Sequence, residues 1–258
     1  MLEHLTPAKL FSLQGQVVFM TGAAGGIAAG LAPGFAAAGA KLVLADRSDA
    51  VQARAQALQD AGVEVLPLMF DVTDRAAIDA AFAQAVSHFG RIDVLVNNAA
   101  VIVRKPFLEL DADDWQRVID IDLTACFHVA QRAARLMVAQ GSGRIINMSS
   151  IMNHVSRPNL VPYVTAKGAL AAMTRSMAAD LAGTGVTVNA LAPGYTATEF
   201  SESGKKDFHD FIRDWTPVRR WGQPEDLVGA ALLLSSGAGS YINGHVLYVD
   251  GGFLAVTR

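Results

Sequence analysis

The sequence contains a single cysteine and no long uncharged apolar run. Cys126 cannot form an internal disulfide, and no histidine or second cysteine stands at metal-ligand spacing from it. No uncharged apolar run approaches the about 18 residues of a membrane-spanning helix, and the first residues lack the long apolar segment of a signal peptide. These absences predict a cytoplasmic protein that has no disulfide and no metal site.

Basic charge is also scarce. Lysine and arginine number 21 against 24 aspartate and glutamate residues, which gives a net charge of −3, and the sequence has no basic run. Nucleic acid and anionic membranes are therefore not expected as partners, whereas a small-molecule substrate is. Hydrophobic residues make up 52 % of the chain, above the roughly 45–50 % of globular proteins. We attribute this excess to buried parallel strands and to an oligomer interface.

Apolar strands alternate with helical segments along the 258 residues. This unbroken alternation predicts one α/β domain, residues 1–258, rather than two small ones. Two of the longer helices are expected from Asp74 to Phe89 and from Asp113 to Ala139. The polar and aromatic segment 199–221 breaks the alternation, and we interpret it as a substrate loop, with a plain surface helix as the alternative. The expected strands cover residues 16–20, 41–46, 63–70, 92–97, 143–149, 185–191 and 245–250.

A glycine-rich turn follows the first expected strand. Gly22 and Gly26 lie in this turn, and a segment of small residues comes after it. Strand, glycine turn and helix form the unit that binds a dinucleotide pyrophosphate: Gly22 permits the tight turn, and Gly26 lets the backbone approach the phosphate at the helix N-terminus. An ordinary glycine turn is the alternative. Asp46 argues against it, because an acidic residue about 20 residues further on is typical of a ribose-binding site.

Ser150, Tyr163 and Lys167 form the expected catalytic group. Tyr163 and Lys167 stand four residues apart, which places both side chains on one face of a helix. The pKa of an unperturbed tyrosine is about 10, and a neighbouring ammonium lowers it toward the working range. Ser150 ends an apolar strand and supplies a hydroxyl for a substrate oxygen. Such a group moves a proton on and off a carbonyl oxygen, and the accompanying hydride must come from a cofactor.

Further motifs occur in an order shared with a known family. They are a Thr-Gly turn at Thr21 and Gly22, Asp46 after strand two, Asp71-Val72, Asn97-Asn98-Ala99, the Ser-Tyr-Lys group, Pro193-Gly194 with Thr198, and a final VDGG. With these motifs the whole chain resembles the short-chain dehydrogenase/reductase family. The resemblance implies a single doubly wound Rossmann domain with a central seven-stranded parallel sheet flanked by helices. It also implies a nicotinamide cofactor and a homotetramer.

The resemblance assigns residues to catalysis and to the cofactor. NAD is expected as the cofactor, because the carboxylate of Asp46 accepts hydrogen bonds from the adenosine ribose and repels a 2′-phosphate. NADP remains possible, since Arg47 could contact that phosphate. The implied catalytic residues are Ser150, Tyr163, Lys167 and Asp122. The implied cofactor-binding residues are Gly22, Gly26, Ile27, Asp46, Arg47, Asp71, Val72, Asn98, Ala99, Tyr163, Lys167, Pro193, Gly194, Thr196 and Thr198.

Three positions depart from the family pattern. Ala28 and Ala100 stand where glycine is usual, and Asp122 stands where the family carries a catalytic asparagine. Because that asparagine acts largely through its backbone carbonyl, we expect Asp122→Asn to retain activity. A side-chain role would not survive the change from Asn to Asp unaltered, because an ionised carboxylate cannot donate a hydrogen bond.

These residues predict hydride transfer between a nicotinamide cofactor and a secondary alcohol or ketone. The resemblance is nearest to the sugar-acid and polyol branch, in which Arg104 and Asn153 are the expected substrate ligands. His154 and Arg157 either line the same pocket or are ordinary loop residues. Three alternatives remain open. One is a 3-oxoacyl thioester reductase, which Asp46 and the net negative charge argue against, and another is a non-catalytic dinucleotide sensor, which would not need the Ser-Tyr-Lys group. The third is a steroid or aromatic alcohol as the substrate, which the sequence does not exclude.

Overall fold

The computed structural model describes residues 5–199 and 206–257. Within these residues, seven parallel strands form one sheet in the order β3-β2-β1-β4-β5-β6-β7. The doubly wound, seven-stranded sheet expected from the sequence is thus confirmed. The strands are β1 (Val17–Thr21), β2 (Lys41–Asp46), β3 (Val65–Met69), β4 (Val94–Asn97), β5 (Gly143–Met148), β6 (Val186–Pro193) and β7 (Val246–Val249).

Helices connect the strands and cover both faces of the sheet. None of the helices in the described ranges is long and apolar enough to cross a membrane. The helices are α1 (Pro7–Leu10), α2 (Ala28–Ala37), α3 (Ala50–Asp60), α4 (Arg75–Phe89), α5 (Ala112–Ile119), α6 (Cys126–Gln140), α7 (Val161–Asp180), α8 (Lys206–Trp215) and α9 (Val228–Ser235).

The strands are apolar on both faces because each face is covered by helices. Successive side chains of a strand point to opposite faces, so the fully buried β1 contributes to two core clusters. Val18 and Met20 pack with residues of α2 and α9, whereas Phe19 packs with residues of α4 and α6. The ring of Phe19 stacks on Phe82 at 4.4 Å between centroids. Burial of each such ring stabilises the fold by about 1.5–3 kcal/mol.

The strand order reverses between β1 and β4. β2 and β3 lie on one side of β1, and β4 to β7 follow on the other side. Connections from β1 and β4 therefore leave in opposite directions, which opens a crevice at the carboxyl ends of these two strands. This crevice is where ligands bind in open α/β sheets.

The helix expected from Asp113 to Ala139 is present, but its middle turn is π-helical rather than α-helical. α5 ends at Ile119, a π-turn covers Asp120–Ala125, and α6 begins at Cys126. A π-turn widens one helical turn and is frequent at functional sites. The sequence pattern did not reveal it, because the apolar residues of α5 and α6 both follow the ordinary helical period. The π-turn buries the side chain of Asp122 completely.

The interpretation of segment 199–221 as a loop is corrected in part. Helix α8 (Lys206–Trp215) lies within the segment, as the surface-helix alternative proposed. Residues 200–205 lie outside the described residues. The polar and aromatic composition agrees with α8, whose one buried residue is Ile212.

Candidate active site

A cavity of about 540 Å³ opens at the carboxyl ends of the central strands. It extends from the glycine turn after β1 to the first turns of α7 and the segment after β6. A smaller cavity of about 80 Å³ adjoins it, since Gly22, Asp46 and Ala100 line both. The two cavities together occupy the crevice that the strand order creates.

Hydrogen bonds connect the glycine turn after β1 to the segment that follows β4. The hydroxyl of Thr21 accepts hydrogen bonds from the backbone N–H groups of Asn98 (3.0 Å) and Ala99 (3.1 Å). The side-chain amide of Asn98 donates to the carbonyls of Thr21 (3.0 Å) and Gly22 (2.9 Å). A Cβ on Gly22 would lie 2.7 Å from the Cα of Ala99, and its φ of +63° is left-handed. Only glycine fits this position without strain.

Beyond Gly22 the turn leaves room for an anion. A Cβ built on Gly25 or Gly26 would meet no atom within 4 Å. The turn leads directly into α2, which begins at Ala28. Backbone N–H groups and the helix dipole favour negative charge at such a position. The residues of the turn therefore fit the pyrophosphate of a dinucleotide cofactor.

The carboxylate of Asp46 lies beside this turn, where the adenosine ribose is expected. It accepts hydrogen bonds from the backbone N–H groups of Ala24 (3.0 Å) and Ser48 (2.9 Å), one on each oxygen. These bonds hold the carboxylate in place, and each oxygen keeps a lone pair for a ribose hydroxyl. Arg47 lines the smaller cavity with Asp71. A backbone hydrogen bond and, more weakly, the charge of Arg47 hold the pKa of Asp71 below its usual value.

The structure brings the expected cofactor residues together along the two cavities. Contact with a cofactor stays a prediction for each of them. The main cavity is lined by Gly22, Gly26, Ile27, Asp46, Asn98, Tyr163, Lys167, Pro193, Gly194, Thr196 and Thr198. The smaller cavity is lined by Gly22, Asp46, Arg47, Asp71, Val72 and Ala99. Ala100, a departure from the family pattern, lines both, so its methyl group borders the space expected for the nicotinamide.

Ser150, Tyr163 and Lys167, the expected catalytic group, all line the main cavity. Ser150 follows β5, and Tyr163 and Lys167 lie one turn apart on α7. The hydroxyl of Ser150 is hydrogen-bonded to the phenol of Tyr163. The ammonium of Lys167 lies 5.4 Å from the centre of the Tyr163 ring and donates to the carbonyl of Met148 at 3.0 Å. This arrangement permits Tyr163 and Ser150 to hold one substrate oxygen between them.

Opposing influences act on the proton of Tyr163. Burial raises the pKa of the phenol above its usual value, while the ammonium of Lys167 lowers it. The carboxylate of Asp122 raises this pKa again, and the hydroxyl of Ser150 and the charge of Arg104 lower it. The net direction is upward. Lys167 therefore lowers the pKa of the phenol, as the sequence predicted, but burial and the charge of Asp122 raise it by more.

Asp122 faces Lys167 with its side chain. Its Oδ2 lies 3.3 Å from the Lys167 ammonium, and its Oδ1 accepts the backbone N–H of Val101 at 2.8 Å. Among the described residues, Oδ2 has no hydrogen bond of ordinary geometry, so the Lys167 contact is an ion pair. Burial raises the pKa of Asp122, against the opposing effects of Lys167 and the Val101 N–H. The family resemblance implied a role for the backbone carbonyl at this position and did not reveal these side-chain contacts.

A buried polar network positions the helix that carries Tyr163 and Lys167. The amide of Asn97 donates to the carbonyl of Cys126 (2.9 Å) and to the Asn147 side chain (3.1 Å). Asn147 in turn donates to the hydroxyl of Thr174 on α7 at 2.9 Å. These bonds join β4, β5, α6 and α7. Sequence reasoning missed Asn147, although a lone asparagine in an apolar strand was a visible signal.

Two guanidinium groups lie at the substrate end of the cavity. Arg104, from the segment after β4, and Arg157, from the segment before α7, both line it, and Arg104 is close enough to Tyr163 for its charge to act on the phenol. Their charges are close enough to interact, because burial and the charge of Arg157 lower the pKa of Arg104. The sequence left Arg157 undecided between pocket and loop. The structure places it in the lining.

Aromatic rings hold Arg157 and α8 against the cavity. The guanidinium of Arg157 lies 4.1 Å from the centre of the Phe208 ring and is hydrogen-bonded to the hydroxyl of Tyr195. Tyr195 contacts Phe208 at 5.6 Å, Trp221 at 5.7 Å and Phe253 at 5.3 Å, between ring centroids. Aromatic pairs of this kind each contribute about 0.5–1.5 kcal/mol beyond their buried area. Segments distant in sequence thus converge on one wall of the cavity.

Asn153, an expected substrate ligand, makes hydrogen bonds to other side chains of the protein. Its amide donates to the hydroxyl of Ser149 at 3.1 Å, and its carbonyl oxygen accepts the phenol O–H of Tyr248 at 2.7 Å. Asn153 is not part of the lining given by the described residues. His154 lies beside the Tyr248 ring, at 6.4 Å between centroids, and is likewise outside that lining. Both side chains thus contact Tyr248 on β7, and a substrate contact of Asn153 stays a prediction.

Known proteins share this fold and sequence along nearly the whole chain. A family profile described as Enoyl-(Acyl carrier protein) reductase matches residues 22–254. Gluconate 5-dehydrogenase of Gluconobacter oxydans is 41 % identical over 246 residues, which cover 94 % of this chain and 96 % of that one. The structure of a gluconate 5-dehydrogenase from Burkholderia cenocepacia, in complex with NADP and tartrate, has a TM-score of 0.94 and 38 % identity, covering 98 % and 100 %.

A structure with a different cofactor is also similar. 7α-Hydroxysteroid dehydrogenase, complexed with NADH and 7-oxo glycochenodeoxycholic acid, has a TM-score of 0.92 and 32 % identity, covering 96 % of this chain and 97 % of that one. The chain belongs to the short-chain dehydrogenase/reductase family. It is an oxidoreductase that acts on CH–OH groups with a nicotinamide cofactor, as its motifs predicted.

The geometry fits the roles expected for Ser150, Tyr163 and Lys167, and these roles stay predictions. The cofactor, when bound, supplies or accepts the hydride at the substrate carbon. In reduction, the phenol of Tyr163 would give its proton to the carbonyl oxygen as the new C–H bond forms, and in oxidation the phenolate would take the proton back. Ser150 would orient the substrate oxygen, and Lys167 would balance the charge that develops on Tyr163.

Proposed function

We propose that this enzyme interconverts a hydroxyl and a keto group on a polyhydroxylated acid of the gluconate type. The observation that carries the proposal is the pair Arg104 and Arg157 in the lining of the cavity that also contains Tyr163. Two guanidinium groups held near one another repel, and an anion bound between them relieves that repulsion. The planar guanidinium also fits a carboxylate with two hydrogen bonds.

Relatives support an acidic substrate. The 41 % identical protein of Gluconobacter oxydans is a gluconate 5-dehydrogenase, and the Burkholderia cenocepacia structure contains tartrate, a small hydroxy acid. In this chain, an acid whose carboxylate reaches Arg104 and Arg157 can place a secondary hydroxyl between Ser150 and Tyr163. A 3-oxoacyl thioester offers no carboxylate to these arginines, so it fits the cavity less well.

A substrate screen combined with two variants tests the proposal. The purified protein is assayed with sugar acids, neutral sugars, polyols and a 3-oxoacyl thioester, with NAD and with NADP. Arg104→Ala removes a charge-assisted contact of about 1.5–3 kcal/mol, so we expect the KM for gluconate to rise by about tenfold or more. The KM for galactitol, a neutral polyol, should change much less. Arg157→Ala should act in the same direction.

Lys105→Ala is the matched control. Lys105 is adjacent to Arg104, but its ammonium is paired with Asp111 (2.8 Å) and Asp114 (2.6 Å). Its removal should leave the KM for both substrates unchanged. If both arginines hold one carboxylate, the effect of the double variant will fall short of the sum of the single effects. Equal changes in KM for gluconate and galactitol would show that Arg104 does not bind a substrate carboxylate, and would reject the acid as substrate.

NAD is the proposed preferred cofactor, with NADP as a weaker one. The support is the carboxylate of Asp46, held by the backbone at the adenosine side of the glycine turn. Its charge repels a 2′-phosphate by about 1 kcal/mol or more. Asp46→Asn removes the charge and keeps the side-chain shape, so the NADP-to-NAD ratio of kcat/KM should rise by about fivefold or more. Asp49→Ala, at an exposed carboxylate outside both cavities, should leave the ratio unchanged.

A homotetramer is the proposed assembly. The middle helices carry apolar side chains that the sheet does not cover: Phe127 and Val138 on α6 are 42 % and 40 % exposed. On α7, Thr165 and Ala172 present a small-residue surface next to the catalytic face. Packing of α6 and α7 against a second copy would cover both sets. Light scattering at micromolar concentration should give a mass of four chains, and a monomer mass would reject the assembly.

The segment 199–221 is the proposed substrate-covering element. Within its described part, Phe208 contacts Arg157 and Tyr195 at the cavity wall. Phe208→Ala should therefore raise the KM for the acid while leaving cofactor affinity unchanged. Phe211→Ala is the control, because that ring is 51 % exposed on the same helix and contacts Trp215 instead. Equal effects of the two substitutions would contradict a specific role for Phe208.

A further inference from the structure

The side chain of Asp122 is a completely buried acid next to the catalytic lysine. Its exposed fraction is 0 %, and that of Lys167 is 2 %. The π-turn directs the carboxyl group to two partners at once, the backbone N–H of Val101 at 2.8 Å and the ammonium of Lys167 at 3.3 Å. Val101 begins the segment that leads to Arg104. Asp122 thus connects the substrate-facing segment after β4 to the catalytic helix α7.

Lys167 lies near two groups that use its charge. Its ammonium is 3.3 Å from the carboxylate of Asp122 and 5.4 Å from the centre of the Tyr163 ring. When a carboxylate also contacts the ammonium, the positive charge of the ammonium stabilises a phenolate less strongly. An asparagine at position 122 would be neutral, and the phenolate would then be the only anion in contact with Lys167 among the described residues.

Other charged or titratable groups also face this cluster. Arg104 approaches Tyr163 from the segment after β4, and Tyr195 approaches it from the segment after β6. Cys126, at the start of α6, lies near Asp122 and Lys167; burial raises the pKa of its thiol to about 12, so it stays neutral. Asp122 is therefore the only acidic side chain among the described groups that influence Tyr163.

We propose that Asp122 is a positioning residue whose carboxylate competes with the Tyr163 phenol for the ammonium of Lys167, and thereby keeps the phenol protonated through the neutral pH range. In reduction, the protonated phenol is the form that donates to the carbonyl oxygen. In oxidation, the phenolate must first form. The rate of reduction should therefore be level across neutral pH, while the rate of oxidation rises with pH. The inference depends on the proton transfer of the family and not on the proposed substrate.

A spectroscopic titration tests the competition without cofactor or substrate. The ionisation of Tyr163 is isolated as the difference in tyrosinate absorbance between a protein and its Tyr163→Phe counterpart. We expect Asp122→Asn to lower the midpoint by about one pH unit, because it removes one negative charge near the phenol. An unchanged midpoint would show that Asp122 carries no charge, and a higher midpoint would show that Lys167 loses its charge in the variant. Either result would overturn the proposal.

Asp120→Asn is the control for the titration. Asp120 lies on the same π-turn, but its carboxylate is partly exposed and accepts a hydrogen bond from Gln116 at 2.7 Å. Its neutralisation should leave the midpoint in place. If both substitutions lower the midpoint equally, the effect is one of general charge, and the specific competition for Lys167 is rejected.

A pH profile extends the test to turnover. With gluconate and NAD, the acid limb of kcat for oxidation should shift downward by the same amount in Asp122→Asn. At one pH unit below the wild-type midpoint, the variant then has about fivefold more phenolate and a correspondingly higher rate. If gluconate is not oxidised at all, the proposed substrate fails, while the absorbance titration still decides the role of Asp122.

The wild-type protein provides a measurement in case Asp122→Asn does not fold. The absorbance difference between wild type and Tyr163→Phe should place the ionisation of Tyr163 above the ordinary value of 10.0. Ionisation below that value would mean that Lys167 dominates the phenol despite Asp122, and the proposal would be overturned.

Discussion

A methyl group on Gly22 should disrupt both the fold and the cofactor site. In Gly22→Ala the new Cβ would lie 2.7 Å from the Cα and 2.9 Å from the N of Ala99, and both are backbone atoms that cannot turn aside. The left-handed φ of +63° adds about 1–2 kcal/mol, and the overpacking adds about 1–3 kcal/mol. We expect the free energy of unfolding, measured with urea, to fall by about 2–5 kcal/mol.

Two neighbouring glycines separate strain from steric conflict. Gly26 has a φ of +58° but open space around its Cβ position, so Gly26→Ala should cost only the strain, about 1–2 kcal/mol. Gly25 has neither positive φ nor a neighbour within 4 Å, so Gly25→Ala should leave stability nearly unchanged.

Cofactor affinity provides an independent measurement on the same variants. If the open space at Gly25 holds the pyrophosphate, Gly25→Ala should weaken NAD binding in a calorimetric titration although the apoprotein remains stable. Equal stability losses in all three variants would refute the steric argument for Gly22. If Gly25→Ala binds NAD as tightly as the wild type does, the pyrophosphate does not lie in the open space at Gly25.

Three further predictions concern the catalytic group and its support. Tyr163→Phe should lower kcat by about 10²–10⁴-fold while NAD affinity persists, whereas Lys167→Ala should reduce both; substantial turnover of the Phe variant would contradict the proton transfer. Asn147→Ala should lower the free energy of unfolding by about 1–3 kcal/mol, because Thr174 loses its buried donor; a urea midpoint equal to that of the wild type would show that the network is dispensable. Cys126, with a pKa of about 12, should resist iodoacetamide at neutral pH until the protein is unfolded in urea; rapid alkylation of the native protein would contradict its burial.

Local patterns were sufficient to predict the sheet and most of the catalytic group. Alternating apolar strands and helices predicted the seven strands, and every boundary agrees with the structure within two residues. The four-residue spacing of Tyr163 and Lys167 predicted their shared helix face, because an α-helix repeats every 3.6 residues. Gly22 and Asp46 were recognisable because a phosphate turn and a strand end each have a short, fixed geometry.

Side-chain partners distant along the chain were not predictable in this way. Asn153 was expected at the substrate, yet its oxygen accepts the O–H of Tyr248, 95 residues further along the chain. Arg157 was left undecided between pocket and loop. Its place in the cavity lining depends on Phe208 and Tyr195, which reach it from separate segments. A sequence pattern does not contain such contacts, because they depend on which loops converge at the crevice.

The sequence by itself determined the fold class, the nicotinamide site and the Ser-Tyr-Lys group, since each is specified by backbone periodicity or by a motif a few residues long. Only the tertiary structure decided what Asp122 does. The departure from asparagine was visible in the sequence, but its consequence depends on the π-turn that buries the carboxyl group and on the 3.3 Å distance to Lys167. The influence of one charge on another is set by distance and burial, and both arise only when the chain has folded.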